Sequence, residues 1–562
     1  MKKRGSLSIS LLLAFSLVFT ACSGGAKTAT SSNEPSPTPG AATTAPKEPS
    51  TEPQILNLSA GQDIVTLNTL GNVDNPATVV QNNLLEGLYR LDPKNLPTPG
   101  IAKSHDVSAD GKTYTFHLRD AKYSNGDSIV AGDFEYAWKK ALDPAATSPN
   151  YIFLLDVKNA VDIKDKKKAP SELGIKAIDD KTLQVELANA TPYFLSLITH
   201  PLFYPMNKKF VEAQGTAYAQ EANTMIYSGP FVLDSWKHDD GYVFKKNPNY
   251  WDAANVKLEQ INFKIVKDNQ TAINLYEAGQ IDISGLTSEF TEQYKTSKEY
   301  QTYSDPTITF LKVNQKNKYL NNVNIRKALR SSVNKEELTG IILNNGSTPA
   351  NYLVAKDFSF GPDGKDFRDK YGDFQKEGVA EAKKYWEQGL KELGESAIKL
   401  EFLNYEGEVS KTIGQYLKNQ WEKNLPGLTI TINVQPQKQK LALEKKLQYD
   451  INNSGWGPDY QDPTTYLDIF LSDNSYNASD YKSAKYDDLM KKAKENSTNL
   501  PERWKLLQDA EKVLIEEDAA VLPLYQSGVA KLTKSYVKNV INHPFGVYTS
   551  YKWASIEGKK AK

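Results

Sequence analysis

The chain has one cysteine, Cys22, in 562 residues. That excludes an intramolecular disulfide framework and any multi-cysteine zinc or iron–sulfur site. Histidine is nearly as scarce. The five histidines, at 105, 117, 200, 238 and 543, are scattered, and no two have the i, i+4 spacing that sets imidazoles on one helical face. Net charge is missing as well, since 68 Lys and Arg balance 68 Asp and Glu. A chain so balanced has no bulk attraction to nucleic acid or to an anionic membrane surface. There is no G-x-S-x-G, H-E-x-x-H, Walker A or G-x-G-x-x-G motif. The GPDGK stretch at 361–365 lacks phosphate-loop spacing. These gaps argue against an enzyme, and no cofactor or metal is expected. After residue 53 no apolar run approaches the length of a membrane-spanning helix.

What is present begins with an address. Lys2, Lys3 and Arg4 precede a mostly apolar stretch from Leu7 to Ala21. Its length suits a signal-peptide core and is too short to span a bilayer comfortably. It ends in Phe19-Thr20-Ala21-Cys22, which resembles a bacterial lipobox, where small residues precede a cysteine that becomes diacylated. Phe19 stands where Leu is usual. The expectation is removal of residues 1–21 and lipidation of Cys22; the alternative is an uncleaved anchor with an incidental cysteine. From Ser23 to Pro53 there is no Leu, Ile, Val, Met or aromatic residue. Such a segment cannot bury enough apolar surface to offset its ordering entropy. Residues 22–53 therefore read as a flexible stalk with a reach of roughly 30 Å.

The remaining length is too great for one core and suggests several domains. Tyr114, Phe116 and Leu118 alternate with polar residues as in a half-buried strand, which puts His117 on the polar face. Leu183, Val185 and Leu187 alternate likewise, and Ile261, Phe263 and Ile265 make another strand. Phe134 to Leu142 carries a helical stripe closed by Asp143-Pro144. Further on, Ile398-Leu400-Phe402 alternates, Val409 to Trp421 is helical in spacing, and Leu428 to Val434 alternates strictly. Strand, helix, strand with short joins predicts a βαβ unit with parallel strands. A short helix over Leu441 to Leu447 and a strand over Tyr449 to Ser454 should follow. Ligands of open α/β sheets sit beyond the carboxyl ends of strands, so the segment after Ser454 is where a ligand group is sought. Trp386 and Trp504 lie in helical stripes that read as core.

Several strings then occur in a fixed order. They are DGKTYTFHLRDAKYSNGD at 110–127, GDFEYAWKKALDP at 132–144, Thr191-Pro192-Tyr193-Phe194 leading to His200-Pro201, and Ser228-Gly229-Pro230-Phe231. Asn247 to Asp252, Gly279 to Asp282, Asn324 to Leu329 and WGPDYQDPTTYLD at 456–468 continue the series. Together they resemble the extracellular solute-binding protein family 5, the oligopeptide- and dipeptide-binding components of ABC importers, and most closely the oligopeptide binders. The resemblance implies an α/β, type II periplasmic-binding-protein fold, in which two lobes close on a cleft and the first lobe carries an extra α+β domain. Lobe one would comprise 54–88, 207–306 and 526–562, the extra domain 89–206, and lobe two 307–525. The implied function is a monomeric, lipid-anchored receptor on the extracytoplasmic face of the cell membrane. It would capture oligopeptides and deliver them to permease subunits driven by partner ATPases. A binder of another solute, such as an oligosaccharide, is the alternative; a secreted hydrolase is one from another class.

The same resemblance nominates site residues. Asp459 would pair with the peptide's α-amino group, or else cap a turn after Pro458. Trp456 would wall the cleft or belong to a lobe core, and Gly457 could offer a carbonyl. Tyr151 and His200 match cleft positions of the family, His200 equally reading as a core histidine. Asp74 and Asn75 lie where the main chain pairs with extended peptides, or form a surface turn before Pro76. Oligopeptide binders often place a basic residue shortly before the W-x-x-D-Y segment, and here that stretch is Asn452-Asn453-Ser454.

Overall fold

A computed structural model of the chain describes residues 53–71, 75–144, 148–374 and 377–559. Cys22 and Asp74 lie outside them. No helix among the described residues is long and apolar enough to cross a membrane.

Three sheets organise the described chain. In the first, Ile55–Ala60 pairs in parallel with Gln260–Ile265, and Gly241–Lys246 and Phe231–Lys237 follow antiparallel. Leu56, Phe244, Ile261 and Phe263 fill its core, the period-2 pattern placing alternate residues inward.

The second sheet runs Ala102–Val107, Thr113–Leu118, Thr182–Glu186, Ile175–Asp179, all antiparallel. Its inner face packs on Phe134 and Trp138 of the helix Ala131–Ala141. The Trp138 indole donates to the Phe203 carbonyl at 3.0 Å, so the ring is buried with its one polar atom satisfied. His117 sits on the polar face as its position in the alternation predicts, 2.8 Å from Asp106.

The third sheet has seven strands. The order along its main path is Ile283–Leu286, Val521–Thr533, Tyr300–Val313, Ile451–Trp456, Ile398–Tyr405, Leu428–Gln435; the two-residue strand Thr348–Pro349 pairs with Val521–Thr533. The predicted βαβ unit is present: Ile398–Tyr405 and Leu428–Gln435 run parallel across the helix Glu408–Asn424. Trp421 of that helix meets Phe402 edge-on at 5.6 Å. The return to the sheet needs Gly427. Its φ is +86°, and a Cβ there would stand 2.7 Å from the Ser396 carbonyl oxygen.

Two elements differ in extent from the sequence reading. The helix between Leu428–Gln435 and Ile451–Trp456 is Gln437–Lys445, starting directly after Pro436. Lys438 and Lys440 obscure its stripe in the sequence, yet Lys440 is fully buried. The strand is Ile451–Trp456, two residues later than its hydrophobic run suggests. Tyr300–Val313 supplies ladder partners as far as Ile308 opposite Trp456, so hydrogen bonding carries the strand through Gly455, where side-chain alternation has ended.

The longest pairing, Tyr300–Val313 with Val521–Thr533, shifts register between Ser304 and Ile308 and again at Thr309. On one side Ile308 and Phe310 join the core beneath Phe358 and Tyr466. On the other, Ala530 and Leu532 pack with Ile273 and Tyr276. Two α/β lobes joined through paired strands, with an added α+β domain, make a type II periplasmic-binding-protein fold.

Candidate functional site

The carboxyl end of Ile451–Trp456 delivers the loop 457–463 toward a cavity of about 1010 Å³. Trp456 and Asp459 both line it, as do Tyr151, Tyr193, Tyr460 and Tyr476. The loop is held from several sides. Asp459 N–H donates to Thr465 Oγ1 at 3.0 Å. Asp462 accepts from Thr464 N–H at 3.0 Å and takes both arms of Arg503, at 2.8 and 2.7 Å. Gly457 lets the chain approach its neighbour closely, since a Cβ would lie 3.0 Å from Thr307 Oγ1.

Among the described residues the Asp459 carboxyl has no counter-charge. Among the described residues no cation and no hydrogen-bond donor is set against it, and burial alone pushes it up to about 7. Its negative charge raises the hydroxyls of Tyr476 and Tyr548 after their own burial does so, and that of Tyr466 after burial and Asp305. A carboxyl that is desolvated, open to a cavity and unpaired is poised for a cationic partner, because an ion taken from water needs opposite charge and hydrogen bonds in return.

The sequence-nominated residues fall into two groups. Asp459, Trp456 and Tyr151 come together at the cavity, Tyr151 being close enough to act on Tyr476. Trp456 meets Tyr476 edge-on at 5.3 Å, and its indole N–H is shielded and unpartnered. Asn75 begins the helix Asn75–Leu84 and hydrogen-bonds Tyr548, which links it to the Asp459 surroundings. His200 lies apart. It is buried, accepts from Leu202 N–H at 3.1 Å through Nδ1, and packs on Phe153 at 4.7 Å. Burial pushes it down to about 3, so it is neutral. It is not in the cavity wall, though Phe153 is. Gly457 is not a lining residue either.

Sequence reasoning missed Tyr476, Tyr548 and the partner tyrosines Tyr193 and Tyr460. Tyr193 lies in the 191–194 string and Tyr460 in the 456–468 string, but nothing in either shows that their rings stack. Tyr476 and Tyr548 sit in loops without periodicity.

Comparison with known proteins agrees with this geometry. A family model described as bacterial extracellular solute-binding proteins, family 5 middle, matches residues 97–478. The dipeptide-binding protein DppE of Bacillus subtilis (strain 168) is 33% identical over 479 residues, 84% of this chain and 86% of that protein. Among solved structures, the substrate-binding domain of an oligopeptide ABC transporter from Bacillus anthracis str. Ames is 45% identical. Its TM-score is 0.79, with 90% of this chain and 99% of that one covered. OppA of Listeria monocytogenes, solved bound to peptide, is 38% identical with a TM-score of 0.79, covering 91% and 100%. With lobed sheets, a cavity beyond a strand's carboxyl end and matched sequence over most of its length, the chain belongs to the bacterial extracellular solute-binding proteins, family 5.

Proposed function

We propose that this protein is the receptor of a peptide importer, capturing oligopeptides outside the cytoplasm and passing them to an ABC permease. It binds and does not transform its ligand. The observation that carries this reading is the uncompensated carboxyl of Asp459 in the cavity wall, placed to receive a peptide's α-ammonium. A neutral sugar could stack on the tyrosines but would leave Asp459 unpaired.

The lobe boundaries proposed from the sequence, 306/307 and 525/526, draw support from the register shifts of the two long strands, which lie beside both crossings. The transport energy comes from the partner ATPase, and the receptor works as a monomer tethered by its lipid.

Capture between two lobes should stabilise the fold. A ligand that binds only the folded state at about 100 times its Kd adds roughly 2.7 kcal/mol. A panel of short free peptides should therefore raise the melting temperature. A panel that leaves the transition unmoved while an oligosaccharide shifts it would replace this reading with the sugar-binding one.

The tether is tested separately. Cys22→Ser should release the protein from the membrane fraction or leave its precursor uncut, because the thiol is the lipid acceptor. Normal processing and membrane retention of that variant would refute the lipoprotein assignment.

A further inference from the structure

The cavity does not end at Asp459. Asp156 and Asp468 line the same cavity, with Tyr193 and Tyr460. Tyr193 and Tyr460 stack face to face there, their centroids 4.3 Å apart and their planes within 13°. Tyr193 donates its hydroxyl to Asp156 Oδ2 at 3.0 Å. No hydrogen bond or ion pair among the described residues reaches the Asp468 carboxyl. Burial, and then the nearby charge of Asp156, pushes that carboxyl up to about 7.

The basic side chains lining the cavity do not close this deficit. Arg503 is committed to Asp462 through both arms. Lys164 pairs with Asp165 and Lys491 with Glu495. Lys494 alone among the lining bases has no ion pair within the described residues, and its pull on Asp468 is outweighed by burial and Asp156. Two carboxyls lining one cavity repel unless a cation or a proton intervenes.

We propose that this part of the cavity is a side-chain subsite for a cationic residue, Lys or Arg, near the amino terminus of the bound peptide, and that Asp156 and Asp468 make the receptor selective for such peptides. The inference rests on the peptide-receptor reading above. The charged head sits between the two carboxyls, and its aliphatic stem lies against the Tyr193–Tyr460 stack. Tyr460 adjoins Asp459 in sequence, which places the subsite next to the anchored amino terminus.

The test is calorimetric titration of the full chain with alanine-based peptides carrying one lysine, norleucine or glutamate at position 1, 2 or 3. At one position lysine should bind about 10- to 100-fold more tightly than norleucine, the range for a charge-assisted contact, and glutamate more weakly than either. In Asp468→Asn, and independently in Asp156→Asn, the lysine preference should collapse while norleucine affinity holds. A purely structural role would lower both together. Equal binding of lysine and norleucine at every position, or a preference that survives both substitutions, overturns the subsite and leaves the peptide reading standing. Failure of every peptide to bind the parent overturns both.

Discussion

Replacing Asp459 with Ala is expected to weaken binding of a free peptide by roughly 30- to 5,000-fold, the effect of about 2–5 kcal/mol when one member of a desolvated charge pair is removed. The carboxyl lines the cavity and is unpaired among the described residues, so an arriving α-ammonium would meet an acceptor that no described lysine or arginine shares. N-acetylating the peptide deletes the other member of the pair and should cost a similar factor in the parent protein. The two losses should not add, because they remove one interaction. Proton traffic gives a second readout. With its carboxyl held at about 7, ligand-free Asp459 carries a proton for much of the time near pH 6.5, and an ammonium displaces it. Binding there should release a proton, measurable in buffers of different ionisation enthalpy, and Asp459→Asn should abolish its share. Stability follows the same linkage. The folded value lies above the unfolded one, about 3.9. The stability that Asp459 contributes is therefore full below about pH 4 and is lost as pH rises through about 7, and ligand restores it. Additive losses in the four-way titration would show that Asp459 acts away from the amino terminus. An acetylated peptide that binds the parent as well as a free one would end the amino-terminal mechanism.

The βαβ unit was legible because Ile398, Leu400 and Phe402, then Leu428, Ile430 and Ile432, alternate without interruption, and a helix of one stripe lies between them. Local periodicity suffices when one face of each element is buried. The helix Gln437–Lys445 starts four residues before its sequence reading and ends two residues before it, because its inward face holds Lys440 and Glu444. Burial of paired charge leaves no hydrophobic signature. The strand end at Trp456 was misread for a different reason: its last ladder partners come from Tyr300–Val313, about 150 residues away in sequence. The site divides the same way. Asp459 and Trp456 are nominated by the family resemblance of the W-x-x-D-Y segment, and the strand's carboxyl end where they lie is a place where ligands of open α/β sheets sit. The stacking of Tyr193 on Tyr460 and the approach of Asp156 to Asp468 join residues more than 260 positions apart, and no pattern within either segment encodes that meeting.

The buried charge that hid the helix also makes the larger stability prediction. Glu444 bridges two lysines, with Oε1 2.8 Å from Lys312 Nζ and Oε2 2.9 Å from Lys440 Nζ. Lys440 also reaches the Tyr405 hydroxyl at 3.2 Å, and Lys312 the Tyr476 carbonyl at 2.8 Å. Burial alone would raise the Glu444 carboxyl, but the two ammonium groups override it and hold it down at about 2. Its contribution is therefore complete above the unfolded glutamate range, near pH 4.3, and is lost as pH falls through about 2. Glu444→Ala leaves two buried ammonium groups with no counter-ion, and should destabilise the fold by about 3–5 kcal/mol at pH 7. Burial already lowers both lysines, and without Glu444 one of them should give up its proton first. The deficit should then shrink as pH rises toward 10, which loss of packing alone would not produce. Denaturant unfolding at pH 7 and pH 10 separates the two causes; a loss under about 1 kcal/mol, or one equal at both pH values, would show that the triad is solvated and contributes little. Because Lys312 holds the Tyr476 main chain, and Tyr476 packs on Trp456 in the cavity wall, the same variant should bind peptide more weakly than its stability alone explains.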